Sequence, residues 1–224
     1  MKILFNDVLQ KSDAPVNLLT PALSDRFNYF EPIEINLDKQ SFINSIGIGY
    51  TDATQFTFEI TNDIGTENFN IDFEGNGLYK LPKSINNVSK IKIYCNGTYI
   101  GRIAVGNGIY LGTSIPKEPA YMSTNSPRET LSGQVIEGAG GYFFRQVSLD
   151  TRYKIGKETI AEIEAAYENQ ISKGFPFFIL FDDEAKRIPF LRLYANDTNQ
   201  QKFSFESSVN RFLFSRRFVF EERF

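Results

Sequence analysis

Two clusters in this 224-residue chain have the residue types that chemistry uses. The run IEGAGGYFFRQ carries Gly138, Gly140 and Gly141, and a glycine-rich loop can cradle a phosphate when its backbone N–H groups converge. Asp182, Asp183 and Glu184 follow the apolar run FFILF, and adjacent carboxylates can hold a hard cation or divide acid and base roles. Neither cluster has the rest of its machinery. A P-loop continues G-K-[ST], where the lysine reaches the phosphates, but Tyr142, Phe143 and Phe144 follow the glycines here. Gly106 and Gly108 in GNGIYLG also miss the G-x-G-x-x-G spacing of a dinucleotide site. Neighbouring residues of a strand point to opposite faces, so Asp182 and Asp183 would share a site only across a tight turn. The glycines are expected to serve a bend or hinge, and the acids a solvated turn.

Absences narrow the chemistry further. The chain has no histidine, which removes Ser-His-Asp triads, Cys-His dyads and imidazole metal sites. Cys95 is the only cysteine, so an internal disulfide and a thiolate zinc cluster are both excluded. Asp63, Glu67, Asp72 and Glu74 surround turn-rich sequence of the kind that holds calcium in some β-modules, without the EF-hand spacing. Tyr79, Tyr94 and Tyr99 are candidate exposed platforms for a sugar ring. The expectation is a protein that is not an enzyme, with no catalytic residue, cofactor or metal ligand assigned.

Charge and hydropathy bear on partners. Net charge is −3. Residues 1–105 carry 9 basic and 12 acidic side chains, and residues 106–224 carry 15 of each. Neither half has the basic excess of a nucleic-acid binder, so no sequence-specific nucleic-acid partner is expected. The opening MKILFNDVLQ is too short an apolar run for a secretory signal, and no stretch of about 20 apolar residues occurs. A soluble chain without membrane insertion or export is expected.

The elements that must position these residues read mainly as strands. Phe occurs 22 times and Tyr 11 times, and both favour pleated, half-buried surfaces. FINSIGIGY places Ile46, Ile48 and Tyr50 on one face, QFTFEI does so with Phe56, Phe58 and Ile60, and NFNIDF with Phe69, Ile71 and Phe73. Asn76-Gly77 and Asn96-Gly97 are hairpin signals, the second joining SKIKIYC to TYIGRIAV. Residues 1–105 therefore read as a jelly-roll-like β-sandwich. Residues 106–141 read as an extended connector arm, with Pro116, Pro119 and Pro127 and no clear period.

Residues 142–224 have another rhythm, an antiparallel sheet interrupted by one helix over 157–173. Ile160, Ile163, Tyr167 and Ile171 give that helix its apolar stripe, and Gly174 and Pro176 its stop. In RFLFSRRFVFEERF, the even positions include Phe212, Phe214, Phe218, Phe220 and Phe224. One long strand would line one face with these rings, while two short strands turning near Ser215-Arg216 would not.

IPKEPAYMSTNSPRETLSGQVIEGAGGYFFRQVSLDTRYKI and GFPFFILFDDE together resemble runs in structural proteins of the tail and tail-tip region of tailed bacteriophages. The resemblance covers residues ~100 to 195. It implies a non-enzymatic virion protein of the tail, tail tip, baseplate or head–tail connector, made in the host cytoplasm and partnered by other virion proteins in a homo-oligomeric ring. It implies an α+β, tail-tube-like sheet with one flanking helix, after an N-terminal sandwich similar to galactose-binding or discoidin modules. Gly138, Gly140 and Gly141 would be its hinge, and Phe212, Phe214, Phe218 and Phe220 its assembly face. The alternative expectation is a carbohydrate-binding module that attaches the particle to a surface glycan through residues 1–105.

Overall fold

A computed structural model describes residues 2–19, 26–75, 77–110, 120–123, 128–129, 135–136, 143–155, 178–180, 191–193, 201–206 and 211–222. Strands dominate, as the abundance of Phe, Tyr and Ile implies. In chain order they begin with β1 (Lys2–Asp7), β2 (Phe27–Asn28), β3 (Ile33–Thr51), β4 (Gln55–Thr61) and β5 (Thr66–Asp72). Next come β6 (Gly77–Cys95), β7 (Tyr99–Tyr110), β8 (Ala120–Ser123), β9 (Arg128–Glu129) and β10 (Val135–Ile136). The last are β11 (Phe143–Ile155), β12 (Phe178–Leu180), β13 (Leu191–Leu193), β14 (Gln201–Glu206) and β15 (Arg211–Glu222). A first antiparallel sheet has the order β12-β1-β7-β3-β6-β4-β5, with β2 also beside β7. A second has the order β13-β15-β11-β8, with β14 also beside β15, and β9 pairs with β10.

Strands β3 and β6, of 19 residues each, carry the first sheet. In β3 the buried apolar positions are odd at Ile33, Ile35 and Ile43, then even at Ile46 and Ile48. The register against β6 slips repeatedly between Asn36 and Ser45, and an added residue at a bulge turns every later side chain to the other face. The slip therefore keeps the isoleucines turned inwards. In β6 the counterpart is Asn87, with φ of 55°, between the buried Ile85 and Val88. Ile33 then opposes Ile93, Ile35 opposes Ile91 and Ile46 opposes Tyr79, all within one buried cluster.

Other strands feed the same cluster. Phe56, Phe58 and Ile60 of β4 and Phe69 and Ile71 of β5 join it as alternation implies, with Ile100, Ile103 and Val105 of β7. Burying one such side chain contributes about 1.5–3 kcal/mol. Phe56, Phe73 and Tyr79 form a chain of rings with centroids 6.2 Å apart at each step. Leu9, from the 3-10 turn over Val8–Lys11, and Leu18, from helix α1 (Val16–Leu19), also reach the cluster.

Several expectations need correction. Tyr50 does not follow Ile46 and Ile48. Its φ is 55°, and it packs with Leu4, Leu78, Ala104 and Phe178 in a separate cluster. Asn96-Gly97 does not close a hairpin, because β6 and β7 are not neighbours and β3 lies between them. Positive φ is not what this pair supplies. Gly97 supplies room, since a Cβ there would lie 2.6 Å from Asp52 Oδ1 and 2.7 Å from the Ala53 backbone nitrogen. Gly77 likewise opens a strand that pairs with β3 and β4, not with the preceding β5; Asn76 lies outside the described residues. A hairpin does form between β4 and β5, and it turns where Asn62 Oδ1 accepts from the Ile64 and Gly65 N–H groups at 3.0 Å each.

The two halves of the chain are interleaved across the expected boundaries. β7 continues past residue 105 to Tyr110, and β8 of the expected connector pairs with β11. β12 leaves the 142–224 segment and pairs with β1, placing Lys2 opposite Leu180, Ile3 opposite Ile179 and Leu4 opposite Phe178. The Phe178 ring is 1% exposed and lies over Gly47, where a methyl group would fall inside its van der Waals radius. The helix expected over 157–173 lies outside the described residues.

Gly47→Ala should therefore displace Phe178 and loosen β12. A loss of about 1–3 kcal/mol is expected from the overpacking, read by urea unfolding, with faster amide exchange in Lys2–Leu4. Unchanged exchange there would refute the seating.

Candidate assembly surface

The register of β15 settles how the terminal aromatic run is laid out. The strand is continuous through Ser215 and Arg216, so the two-strand reading is not adopted. Phe212, Phe214, Phe218 and Phe220 fall on one face of the second sheet, because alternate residues of a strand share a face. Directly opposite them in β11 stand Ile155, Tyr153, Leu149 and Val147. In β14, Phe205 and Phe203 stand opposite Phe212 and Phe214, and Leu193 of β13 stands opposite Phe220. Opposed residues of an antiparallel pair share a face, so this face is mainly a field of apolar positions, interrupted by Arg216 with Thr151 and Gln201 opposite it, and bordered by Glu222 and Arg145 at one end.

The other face has the opposite character. It places Asp150 opposite Arg217, Glu206 opposite Arg211, and Arg192 opposite Glu221. Cross-strand pairs of opposite sign stabilise a register and penalise slippage. Gly138, Gly140 and Gly141 lie outside the described residues, as do Asp182, Asp183 and Glu184.

In the first sheet, two charged groups are buried among the described residues, Asp7 and Arg102. Asp7 and Arg102 form a buried ion pair with Nη2 to Oδ2 at 2.7 Å, their side chains 1% and 2% exposed. Asp7 Oδ1 accepts from the Leu9 and Val105 N–H groups at 3.1 and 3.0 Å, and Arg102 Nη1 donates to the Leu18 carbonyl at 2.9 Å. One pair thus ties β1, β7, the 3-10 turn and α1 together. Burial pushes the Asp7 carboxyl above its ordinary value, against the pull of Arg102 and the two N–H donors, and pushes Arg102 below its own. The pair went unread in the sequence, although the signal was there: Arg102 interrupts the apolar run YIGRIAV, and Asp7 ends the run ILF.

The acids weighed for calcium are scattered. Asp63 accepts from Asn87 Nδ2 at 2.9 Å, Glu67 pairs with Lys83 at 2.7 Å, and Asp72 accepts from Gln55 Nε2 at 3.2 Å. Among the described residues, no three metal-ligating side chains come together. The tyrosines weighed for sugar stacking are engaged. Tyr79 is 5% exposed, and its hydroxyl donates to the Gly75 carbonyl at 2.7 Å. The Tyr94 hydroxyl donates to Glu59 at 3.1 Å, with Lys92 Nζ over the ring at 5.3 Å from its centroid. Arg26 lies over Tyr99 at 4.4 Å. An open hollow of about 510 Å³ beside the β3 register slip is lined by Val8, Lys11, Leu37, Asp38 and Lys39 among others, a mixed surface with no converging donor set.

Asp52 organises the loops between β3 and β4 and between β6 and β7. It accepts from the Thr98 and Tyr99 N–H groups at 2.9 and 3.1 Å and from the Thr98 hydroxyl at 2.6 Å. That hydroxyl foremost, with the N–H donors adding to it, holds its carboxyl below the ordinary value against the opposing effect of desolvation. Asn96 Oδ1 caps the N–H groups of Thr54 and Gln55 from the other side.

Compared with protein-family models, curated proteins and solved structures, the chain matches none.

Two outcomes are expected of these carboxylates. Asp7→Asn strands a buried guanidinium and should cost about 3–5 kcal/mol, while Asp7→Leu with Arg102→Met should recover most of it; equal losses in thermal unfolding would sink this account. Asp52 has a lowered pKa in the folded state, so its contribution is present above the ordinary value of 3.8 and fades as pH falls below it. Asp52→Asn should remove that part of the acid dependence and speed amide exchange at Thr98 and Tyr99. An acid unfolding profile identical to that of the parent would contradict the assignment.

Proposed function

We propose that this chain is a non-enzymatic structural subunit of a tailed-phage virion, in the tail, tail tip or baseplate, or head–tail connector, and that it acts by assembling into a ring. The observation that supports this most is the second sheet. Its β15 register gathers Phe212, Phe214, Phe218 and Phe220 with apolar positions of β11, β13 and β14 on one face. A sheet with one apolar and one charged face buries the first against something, and subunit interfaces are built from such faces. On this reading the first sheet is the sandwich module and the second the tail-tube-like sheet, with other virion proteins as neighbours.

The runs that resemble phage tail proteins support the same reading from the sequence side. The alternative, attachment to a surface glycan through the first sheet, has less support, because Tyr79 is buried and the rings of Tyr94 and Tyr99 are already paired with cations.

Sedimentation of the purified full chain should give an oligomer, and Phe214→Asp with Phe218→Asp should shift it to monomer. Mass spectrometry of purified particles should find the chain among virion proteins. A monomer absent from particles would overturn the proposal. Retention of the full chain on a glycan array, combined with a monomeric mass, would favour the alternative.

A further inference from the structure

We infer that β5 is a docking edge for a second copy of this chain, the two strands pairing antiparallel about a two-fold axis at Phe69. The inference goes beyond the assembly reading, because it uses the first sheet and none of the aromatic face of the second. β5 has β4 along one side and, among the described residues, no strand along the other. Its register against β4 runs from Thr66 to Asp72 without a shift. Open edges are ordinarily blunted by Lys, Pro, a bulge or an inward charge. TENFNID contains no Lys, Arg or Pro, and its inward acid, Glu67, is already paired with Lys83 at 2.7 Å. Such an edge is open to an added strand.

The residues of the edge suit a copy of itself. Opposed residues of an antiparallel pair share a face, so two copies must pair about a residue and not about a peptide bond. Centred on Phe69, the strand matches over its full 7 residues. Phe69 meets its counterpart, Asn68 meets Asn70, Glu67 meets Ile71 and Thr66 meets Asp72. No acid then faces an acid, whereas a centre on Glu67 would set two carboxylates opposite each other, which is destabilising. Thr66, Asn68, Asn70 and Asp72 are all exposed, so the seam brings amide opposite amide and hydroxyl opposite carboxylate in solvent. Inwards, Phe69 and Ile71 keep 8% and 9% exposure where Phe56 and Phe58 of β4 keep 1% and 0%, and a second copy covers that remainder. One such seam buries less than the roughly 1,000 Å² of a stable interface. Pairing is therefore concentration-dependent, and the mass of dilute chains is set by their other contacts.

The test uses the full chain with Cys95→Ala, carrying Asn68→Cys in one preparation and Asn70→Cys in another. Concentrated together and oxidised, the two should join as a disulfide-linked dimer on a non-reducing gel, several-fold more than either preparation alone. Opposed Cα atoms lie about 4.5–5.5 Å apart, within disulfide reach. Two copies of one position are offset along the strands to about 8 Å, beyond it. Thr66→Cys mixed with Asp72→Cys is a second registered pair. Adding Asn68→Lys and Asn70→Lys to that pair should abolish the link, because lysines then face each other across the seam. Equal linking in mixed and single preparations, linking untouched by the lysines, or none in folded chains would overturn the pairing and leave the assembly reading intact. Linking by chains that sediment as monomers when dilute would support the pairing and overturn the assembly reading instead.

Discussion

Ile46 stands opposite Tyr79 on one side and Val105 on the other, and Ile48 stands opposite Ile103. These contacts at the centre of the first sheet need β3 to present isoleucine inwards over its whole length. A strict two-residue period cannot do that in this chain, because the isoleucines are odd up to residue 43 and even from residue 46. The register slip resolves the conflict, and much follows from it. β6 adjusts at Asn87, and residues from both ends of β3 and β6 enter one cluster. The positions between the inward isoleucines, Ser45 and Gly47, are buried against the opposite face. There the chain carries small residues, and Gly47 gives Phe178 its place.

That opposite face connects stability to the proposed role. An edge strand of six residues, β1, is held from inside by the Asp7–Arg102 pair and from outside by three residues of β12. The inner restraint is local in space and fully desolvated, so it behaves as part of the core. The outer one depends on a segment that belongs by sequence to the other sheet. A joint of this kind ties a segment between two strands of the second sheet to the edge of the first.

Short, strictly alternating runs were legible in the sequence. Phe56, Phe58, Ile60, Phe69 and Ile71 are buried as alternation requires, because the β4–β5 register runs without a shift from Gln55 to Thr61 and the phase is kept. The aromatic period of residues 211–222 likewise matches a continuous strand. Turn chemistry was less informative. Asn96-Gly97 looks like a type I′ turn, yet the strands it joins pair with other partners, and side chains of Asp52 and Asn96 satisfy the loop backbone instead. Tyr50 and Tyr79 exchanged their expected environments for the same reason: partner strands distant in sequence decided which face each met.

The sequence by itself determined the chemistry available and the preference for strands. Without histidine or a second cysteine whole classes of site are closed, and the density of Phe, Tyr and Ile in alternating runs leaves pleated sheet as the way to bury them. Only the tertiary structure decided which strands pair, where the register slips, that Asp7 meets Arg102 across 95 residues of chain, and that Phe178 returns to cover Gly47. Alternation specifies a face but no partner. Partner choice depends on shape and charge matched between segments far apart in the chain, and those terms come into being only when the segments meet.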